Sequence, residues 1–279
     1  MKPISGRTSL IPHIGYPTES FKAPLIYNPW FASRGIDTIV VPMACAADDY
    51  EPLLKPLFAL RNVVGALVTM PHKVSTVALL DEKSIAVEIA GSCNAIRKRS
   101  DGTLAGDMFD GVGYVRGAQR KGFHFSGKRC LVVGAGGVGS AIAAAIAAEG
   151  VAALAVHDID PDAAQSLVAR LRHHHPAVDA RVASSDPAGY DMVVNATPLG
   201  MQSGDPLPFD VARLSPPTFV GEVVMKEEMT PLLSAAREKG CPYQVGTDML
   251  FEQIPAYLEF FGFPSATPEE LRAVALVSY

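Results

Sequence analysis

The 279-residue chain lacks an excess of basic residues and any long apolar run. Lysine and arginine total 24 against 29 aspartates and glutamates, which gives a net charge of −5. Nucleic-acid-binding domains usually carry a basic patch, so this balance argues against such a partner. The longest apolar run, AIAAAIAA, is far shorter than the roughly 20 residues that span a bilayer. We therefore expect no nucleic-acid partner and no membrane partner.

Cysteine is also scarce. The four cysteines (Cys45, Cys93, Cys130, Cys241) are far apart and form no C-x-x-C pair. Each lies in or beside an apolar stretch, which is typical of buried free thiols in a reducing compartment. The stretch MKPISGRTSLIPHIGYP has no apolar core of a secretory signal. These features predict a cytoplasmic protein.

Strand-like runs alternate with helical patterns along most of the chain. The runs are SLIPHIGY, TIVVPM, VGALVTM, KRCLVVGAGG, ALAVHDID and DMVVNAT. This alternation predicts an α/β protein with parallel sheets and crossover helices. A length of 279 residues is long for one core and suits two domains.

The segment LVVGAGGVGSAIAAAIA holds Gly134, Gly136 and Gly139 in G-x-G-x-x-G spacing. The first glycine permits a tight turn, the second lets a pyrophosphate approach the backbone, and the third lets helix and strand pack closely. Glycine-rich turns often serve packing alone, but here a strand precedes the loop and a helix follows it. The pattern predicts a dinucleotide site whose intervening residues are Ala135, Gly137 and Val138.

Asp158 ends the next strand, 24 residues after Gly134. Such an acid binds the adenine ribose hydroxyls in many dinucleotide-binding folds. The stretch from His157 to Ala169 has three aspartates and no lysine or arginine, so it would repel a 2′-phosphate. The sequence therefore predicts that NAD is preferred over NADP. An alternative is that Asp158 caps the following helix, although Asp160 is better placed for this.

A domain boundary is predicted near GDMFDGVGYV, residues 106–115. The last segment reads as two amphipathic helices without a strand of their own to cover, so we expect them to return to the first domain. The prediction is an N-terminal α/β substrate domain of residues 1–110 plus 247–279. Residues 111–246 form a Rossmann-type dinucleotide-binding domain, with the binding cleft between the two domains.

Lys73 follows VTMPH, where Pro71 is expected to end a strand. Open α/β sheets bind ligands beyond the carboxyl ends of their strands, so Lys73 is a candidate for moving a hydroxyl proton. Asp110, at the domain boundary, is a candidate partner. A solvated lysine and a helix N-cap are the alternatives, and spacing alone does not decide between them.

The chain resembles the shikimate dehydrogenases over nearly its whole length. The matching segments, in order, are HIGYP, VTMPHK, GSCNAI, GDMFDGVG, VVGAGGVG, VVNATPLGM, MTPLL and GTDMLFEQ. The resemblance implies that Lys73 and Asp110 form the catalytic pair. It also implies further site residues: Asn94 and Gln253 bind substrate hydroxyls, Thr69 borders the substrate, and Asn195, Thr197 and Leu199 line the nicotinamide.

Several positions depart from the family's pattern. Phe21 and Ala23 stand where the family usually has two hydroxyl residues that hold the substrate carboxylate. Polar family residues are also replaced by apolar or bulky ones: an asparagine by Leu67, an Asn-Thr pair by Met108 and Phe109, and a tyrosine by Met225. These changes favour a relative with an altered carboxylate site, unless Lys22 or Ser20 holds a carboxylate instead.

The leading hypothesis is an NAD-dependent oxidoreductase of the shikimate dehydrogenase type, acting on a cyclic hydroxy acid or polyol. One alternative is a genuine shikimate or quinate dehydrogenase. Another is a non-catalytic NAD-binding regulator, which would not need both Lys73 and Asp110. The HHHP stretch at 173–176 does not predict a metal site, because adjacent histidines do not share one helix face. We expect a monomer or homodimer.

Overall fold

The structure, a computed structural model, describes residues 3–19 and 21–277. The chain folds as two compact units. The first unit contains the residues up to Val87, Gly91–Phe109 and the residues from Ile254 onward. The second contains Glu88–Ala90 and Asp110–Gln253. The predicted two-part α/β fold is confirmed, while the functional domain limits given above stay a prediction.

Strands and helices alternate in the order that the sequence predicts. The strands are β1 (Ser9–Gly15), β2 (Thr38–Ala44), β3 (Gly65–Val68), β4 (Glu82–Lys83), β5 (Ala95–Lys98), β6 (Leu104–Asp107), β7 (Arg129–Val133), β8 (Ala153–His157), β9 (Asp179–Val182), β10 (Met192–Asn195), β11 (Phe219–Glu222) and β12 (Tyr243–Gln244). The helices are α1 (Pro24–Ser33), α2 (Ala47–Ala59), α3 (Ile85–Ala90), α4 (Asp110–Arg120), α5 (Gly137–Ala148), α6 (Pro161–His174), α7 (Pro231–Glu238), α8 (Gly246–Phe260) and α9 (Pro268–Val274), with 3₁₀ turns at Ser75–Leu79 and Val211–Arg213.

The sheet of the first unit has the order β2-β1-β3-β5-β6-β4. β1 pairs in parallel with both β2 and β3, so these three strands place their carboxyl ends at one edge. β5 runs antiparallel to β3 and to β6. The prediction of purely parallel sheets is therefore wrong for this unit, because the short segments AIRK and LAGD form an antiparallel pair that the strand–helix alternation did not indicate.

The C-terminal segment of the first unit covers its N-terminal helix. The Leu276 amide donates to the Leu25 carbonyl oxygen at 2.8 Å, and Arg34 forms an ion pair with Glu270. Thr267 starts α9 with a capping box, in which its hydroxyl accepts from the Glu270 amide and the Glu270 carboxylate accepts from the Thr267 amide. These contacts fix α9 against α1.

The sheet of the second unit is entirely parallel, in the order β12-β11-β10-β7-β8-β9. Its central strands are apolar runs such as RCLVV and MVVN, because parallel strands covered on both faces bury nearly every side chain. β7 lies at the centre and ends at Val133, so the glycine-rich loop starts where such sheets bind their ligands.

Among the described residues, no helix is both long and apolar enough to cross a bilayer.

Candidate functional site

The carboxyl edge of the first sheet holds two predicted site residues, Thr69 and Lys73. Thr69 follows β3, and its amide donates to the carbonyl oxygen of Ile14 at 2.9 Å. The carbonyl oxygen of Lys73 accepts from the amide of Cys93 at 2.8 Å. Ligands of open α/β sheets bind at this edge. The backbone hydrogen bonds therefore fix both residues where a ligand of the first unit is expected.

Asn94 lies at the same edge. The Val68 amide, at the end of β3, donates to the Asn94 carbonyl oxygen at 2.9 Å. The Asn94 backbone amide donates to the Asp107 carbonyl oxygen at 3.1 Å. The Asn94 side chain is buried, and its Oδ1 accepts from the Phe109 amide at 3.0 Å. This last bond orients the carboxamide. The structure therefore brings Thr69, Lys73 and Asn94 to one edge of one sheet.

An aromatic stack lies next to this edge. The rings of Phe21 and His13 stack with centroids 4.1 Å apart. A Cβ on Gly15 would lie 2.4 Å from the Thr69 methyl carbon and 2.9 Å from Cζ of Phe21, so only glycine leaves room for both. Ala23 is buried directly before α1. Of the two predicted substrate positions that lack hydroxyls, Phe21 thus places an aromatic ring over the strand end, and Ala23 has a small apolar side chain.

The two histidines near this edge differ in their hydrogen bonding. His72 Nε2 lies 2.9 Å from the Cys45 carbonyl oxygen, and its ring stacks on Tyr50, so its role is structural. His13 Nδ1 is buried without a hydrogen-bond partner in the described part of the chain. Burial, reinforced by the positive charge of Lys73, lowers the pKa of His13 to about 4. His13 is therefore a neutral imidazole at pH 7.

The other departures from the family's pattern lie in apolar surroundings. Leu67, Met108 and Phe109 are buried in the first unit. Met225 packs, partly buried, against the core of the second unit. Ser20, one alternative carboxylate ligand, lies outside the described residues. The sequence did not reveal that these apolar replacements have apolar neighbours.

The glycines of the loop after β7 meet different surroundings. Gly134 has φ 109°, which favours glycine. A Cβ on Gly139 would lie 1.9 Å from the Gly134 carbonyl oxygen, while a Cβ on Gly136 would meet no atom within 4 Å. The open side of Gly136 lies at the start of α5, where a helix N-terminus favours an anion. Ala135, Gly137 and Val138 complete this segment, which fits the pyrophosphate of a dinucleotide.

Asp158 is bonded to the backbone of the loops around it. One carboxylate oxygen accepts from the Ala135 amide at 2.6 Å, and the other accepts from the Asp160 amide at 2.9 Å. Asp160, in turn, caps α6 by accepting from the amides of Asp162 and Ala163. Asp158 therefore links the glycine-rich loop to the segment that precedes α6.

Asn195, Thr197 and Leu199 form a closed network with Glu222. The side-chain Nδ2 of Asn195 donates to Glu222 Oε1 at 3.0 Å and to the Leu199 carbonyl oxygen at 3.0 Å. Asn195 Oδ1 accepts from the Thr197 hydroxyl at 2.7 Å, and Thr197 Oγ1 accepts from the Leu199 amide at 3.1 Å. The Thr230 hydroxyl donates to Glu222 Oε2 at 3.0 Å. The predicted nicotinamide-lining residues thus form one turn.

Glu222 is a residue that the sequence reasoning missed. Its side chain is fully buried at the end of β11, and it also accepts from the amides of Val223 and Val224. Burial raises the pKa of Glu222, and the hydrogen bonds oppose that rise. The sequence does carry a signal for Glu222: it is an acid at the end of the apolar strand FVGE, which indicates a fixed structural role.

Asp110 and Gln253 lie on helices that pack together in the second unit. Asp110 is the first residue of α4, and its side chain is buried. A Cβ on Gly113 would lie 2.7 Å from the Gln253 Cβ, which places α8 against α4. Gln253 Oε1 is buried and has no hydrogen-bond partner in residues 3–19 and 21–277.

Within the described residues, no group of three or more histidine, cysteine, aspartate or glutamate side chains is arranged to hold a metal ion. His173 and His174 end α6, and His174 Nε2 lies 3.7 Å from a carboxylate oxygen of Glu88. Two imidazoles at a helix end beside one acid do not form a tetrahedral ligand set.

Comparison with known proteins agrees with this arrangement. Residues 13–96 match the family model described as the shikimate dehydrogenase substrate binding domain. The shikimate dehydrogenase (NADP(+)) of Rubrobacter xylanophilus is 35% identical over 90% of this chain and 89% of its own length. That of Acidiphilium cryptum is 34% identical over 98% of both chains. The shikimate 5-dehydrogenase of Listeria monocytogenes, solved in complex with shikimate and NAD, superposes with TM-score 0.90 at 26% identity over 98% of both chains.

The fold and the similarity to these relatives define an α/β oxidoreductase. The chain belongs to the shikimate dehydrogenase family, which confirms the resemblance seen in the sequence.

The predicted preference for NAD over NADP is wrong as a conclusion from the sequence. Four similar relatives are named shikimate dehydrogenase (NADP(+)). The prediction rested on Asp158 and on the absence of cations nearby. Both carboxylate oxygens of Asp158 are bonded to backbone amides of the loops. The presence of this acid therefore does not distinguish NAD from NADP.

Proposed function

We propose that this enzyme moves hydride between a nicotinamide dinucleotide and a cyclic hydroxy or keto compound, at a site whose carboxylate contacts differ from those of its relatives. The observation that carries the proposal is the shared edge of the first sheet, where backbone hydrogen bonds fix Thr69, Lys73 and Asn94. Their positions match the motifs VTMPHK and GSCNAI of the family.

In the proposed mechanism, Lys73 exchanges the proton of the substrate hydroxyl, and Asp110 is its partner. Asn94 and Gln253 bind further hydroxyls, and Thr69 borders the ring. The Gln253 Oε1 supports this assignment, because it is buried without a partner in the described residues and can accept from a substrate hydroxyl. A bound nicotinamide supplies or receives the hydride, and the turn of Asn195, Thr197 and Leu199 is proposed to line it.

The residues of the second unit that would hold the dinucleotide are Gly134 to Gly139 and the start of α5. The open space at Gly136 supports this assignment, because the pyrophosphate needs a close approach to the backbone. Among the two forms of the cofactor, the names of the relatives support NADP(H). Calorimetric titration with NADP⁺ and NAD⁺ tests the choice, and undetectable binding of NADP⁺ would contradict it.

The altered carboxylate site is proposed from Phe21 and Ala23. Phe21 stacks on His13 over the strand end, and Ala23 offers no hydrogen-bond donor. A carboxylate moved from water to this surface loses hydrogen bonds that the side chains do not replace. Shikimate is therefore expected to be a poor substrate of this enzyme, with a high KM and a low kcat/KM.

The double substitution Phe21→Ser with Ala23→Ser tests this proposal, because it returns two hydroxyl donors beside an unchanged Lys73. Each hydrogen bond to a charged group is worth about 1.5–3 kcal/mol, so kcat/KM for shikimate should rise roughly tenfold or more. Ala148→Ser, at an exposed position of α5, is the matched control and should change nothing. Efficient oxidation of shikimate by the wild type, reduced by the serines, would favour a genuine shikimate dehydrogenase instead.

The alternative to an oxidoreductase is a non-catalytic regulator that binds the dinucleotide. A screen of cyclic alcohols with both dinucleotides, followed at the nicotinamide absorbance, distinguishes the two. Dinucleotide binding without turnover of any compound would support the regulator. A cytoplasmic, reducing compartment is also proposed, and the four buried, unpaired cysteines support it.

A further inference from the structure

His13 lies where its ring nitrogen can act on a ligand. The residue is on β1, two positions before the strand ends, and its ring stacks on Phe21. Its Nδ1 is buried, with no hydrogen-bond partner in residues 3–19 and 21–277. Nearly all buried polar atoms in folded proteins have a partner, so an unpaired one at the candidate substrate edge is available to a polar group of a ligand.

The charge state of His13 limits which group that is. Burial and the positive charge of Lys73 lower the pKa of His13 to about 4, so the ring is neutral at pH 7. A neutral imidazole accepts from a hydroxyl or donates to a carbonyl oxygen. It adds no positive charge to attract a carboxylate.

The surroundings of His13 also disfavour an anion. The Phe21 ring covers the strand end beside the Thr69 methyl group, and Ala23 has no polar atom. An aromatic face covers C–H surface well but does not solvate a carboxylate. The surface that Phe21 and Ala23 form beside His13 therefore combines one neutral polar atom with apolar side chains, a combination that suits an uncharged ring carrying hydroxyl groups.

We propose that His13 is a substrate-binding residue and that, with Phe21, it selects an uncharged cyclic polyol or cyclic ketone over a cyclic hydroxy acid. His13 Nδ1 forms a hydrogen bond with a hydroxyl or carbonyl group of that compound, and the Phe21 ring covers the neighbouring ring carbons. This inference rests on the proposed function, because both place the substrate at the Lys73 edge of the first sheet.

Two matched pairs of compounds test the inference on the full chain: shikimate with its methyl ester, and quinate with its methyl ester. Each pair shares its ring hydroxyls and differs in the charge. Binding constants are measured by calorimetry, and kcat and KM are measured with NADP⁺ and with NAD⁺. The wild type should bind each ester at least about tenfold more tightly than the acid, equal to ~1.4 kcal/mol.

His13→Ala should raise KM for the esters several-fold with a smaller change in kcat, and should narrow the difference between ester and acid. His13→Asn, which keeps a hydrogen-bonding side chain, should restore part of that difference. His124→Ala, an exposed histidine of the second unit, is the matched control and should leave both pairs unchanged. The comparison of ester with acid in the wild type needs no substitution, so it holds even if a His13 variant folds poorly.

Measurements of binding and of turnover distinguish the inference about His13 from the proposed oxidoreductase function. Ester binding that depends on His13, without oxidation of any compound, supports the inference and contradicts the proposed oxidoreductase function on these rings. Oxidation of the acids in preference to the esters supports the function and overturns the inference. The inference is also overturned if none of the four compounds binds, or if His13→Ala weakens ester and acid equally.

Discussion

The candidate substrate edge of the first unit and the candidate dinucleotide loop of the second are built in different ways. In the second unit, Asp158 and Glu222 each accept several hydrogen bonds, and Gly139 is in close contact with the backbone of the loop. In the first unit, an aromatic pair covers the strand end and a buried imidazole nitrogen lacks a partner in the described residues.

This difference in hydrogen bonding indicates which of the two candidate sites tolerates substitutions better. A closed hydrogen-bond network loses stability when one member changes, because the remaining donors stay buried and unpaired. An apolar surface with one unpaired nitrogen leaves fewer bonds to break, so its residues can change with the ligand. If the proposed function holds, the loop of the second unit tolerates few substitutions, while the first unit carries the substrate specificity.

The largest expected effect tests whether the first unit also carries the chemistry. Lys73→Ala should lower kcat by roughly 10²–10⁴-fold, the range typical of a general acid–base group, while dinucleotide affinity stays near wild type. Steady-state kinetics and calorimetry measure the two quantities. Lys83→Ala, at an exposed lysine of the same unit, is the control. A variant that keeps nearly full turnover would return Lys73 to a solvated surface charge.

Two glycines of one loop should respond in opposite ways. Gly139→Ala places a methyl group 1.9 Å from a backbone oxygen and should destabilise the second unit by about 3 kcal/mol. Gly136→Ala, with φ −69° and open space, should change stability by less than ~1 kcal/mol.

Gly136→Ala should still weaken dinucleotide binding at least about tenfold, because the methyl group occupies the space proposed for the pyrophosphate. Urea unfolding and calorimetric titration of both variants separate the two effects. Unchanged affinity in a folded Gly136→Ala variant would show that the open space has another use.

Glu222→Gln tests the closed network. The substitution keeps one acceptor oxygen but turns an amide toward Thr230 Oγ1, so the unfolding free energy should fall by about 1–2 kcal/mol. Dinucleotide affinity should stay near wild type, because the retained oxygen still accepts from the Asn195 side-chain amide. Glu228→Gln, exposed in the same stretch, is the control. Equal stability of the two variants in thermal unfolding would contradict the importance of the network.

A further effect concerns the acid stability of the first unit. The pKa of His13 is lowered from 6.5 to about 4, so the unfolded chain takes up a proton between these values and the folded chain does not. The stability contribution is therefore full above pH 6.5 and is lost as pH falls toward 4. The loss is at most about 3 kcal/mol.

His13→Asn should flatten this part of the pH profile, measured as the difference in urea midpoint between pH 7 and pH 4.5. His124→Asn, an exposed control, should leave the profile steep. His72, whose pKa burial also lowers, keeps part of the slope in every variant. An unchanged slope in His13→Asn would mean that its ring is not buried in solution.

Much of the fold could be predicted, because strand periodicity and the glycine spacing are local signals. The runs around VVGAGG and MVVN correctly indicate strands of a parallel sheet. The antiparallel pair β5 and β6 was missed, since four-residue strands carry little periodicity.

The candidate site was predicted less completely, because side-chain bonds join residues that are distant in sequence. Asp158 was read as a ribose ligand, and only the structure shows its bonds to Ala135 and Asp160. Glu222 meets Asn195 from another strand, which no spacing rule indicates. The stacking of His13 on Phe21 and its unpaired nitrogen are properties of packing, which the sequence does not indicate.

The division of the chain also sets the order in which its parts can fold during synthesis. The first unit is complete only when Leu276 has paired with Leu25, so its N-terminal helix stays uncovered until nearly the whole chain is made. The second unit comes almost entirely from one stretch, Asp110–Gln253, whose two ends meet where Gly113 packs against Gln253. At about 5–20 residues per second, that stretch leaves the ribosome seconds before the C-terminal helices. A chain that ends prematurely after α8 would therefore contain a folded second unit beside an uncovered first helix, the kind of half-folded product that chaperones and proteases recognise.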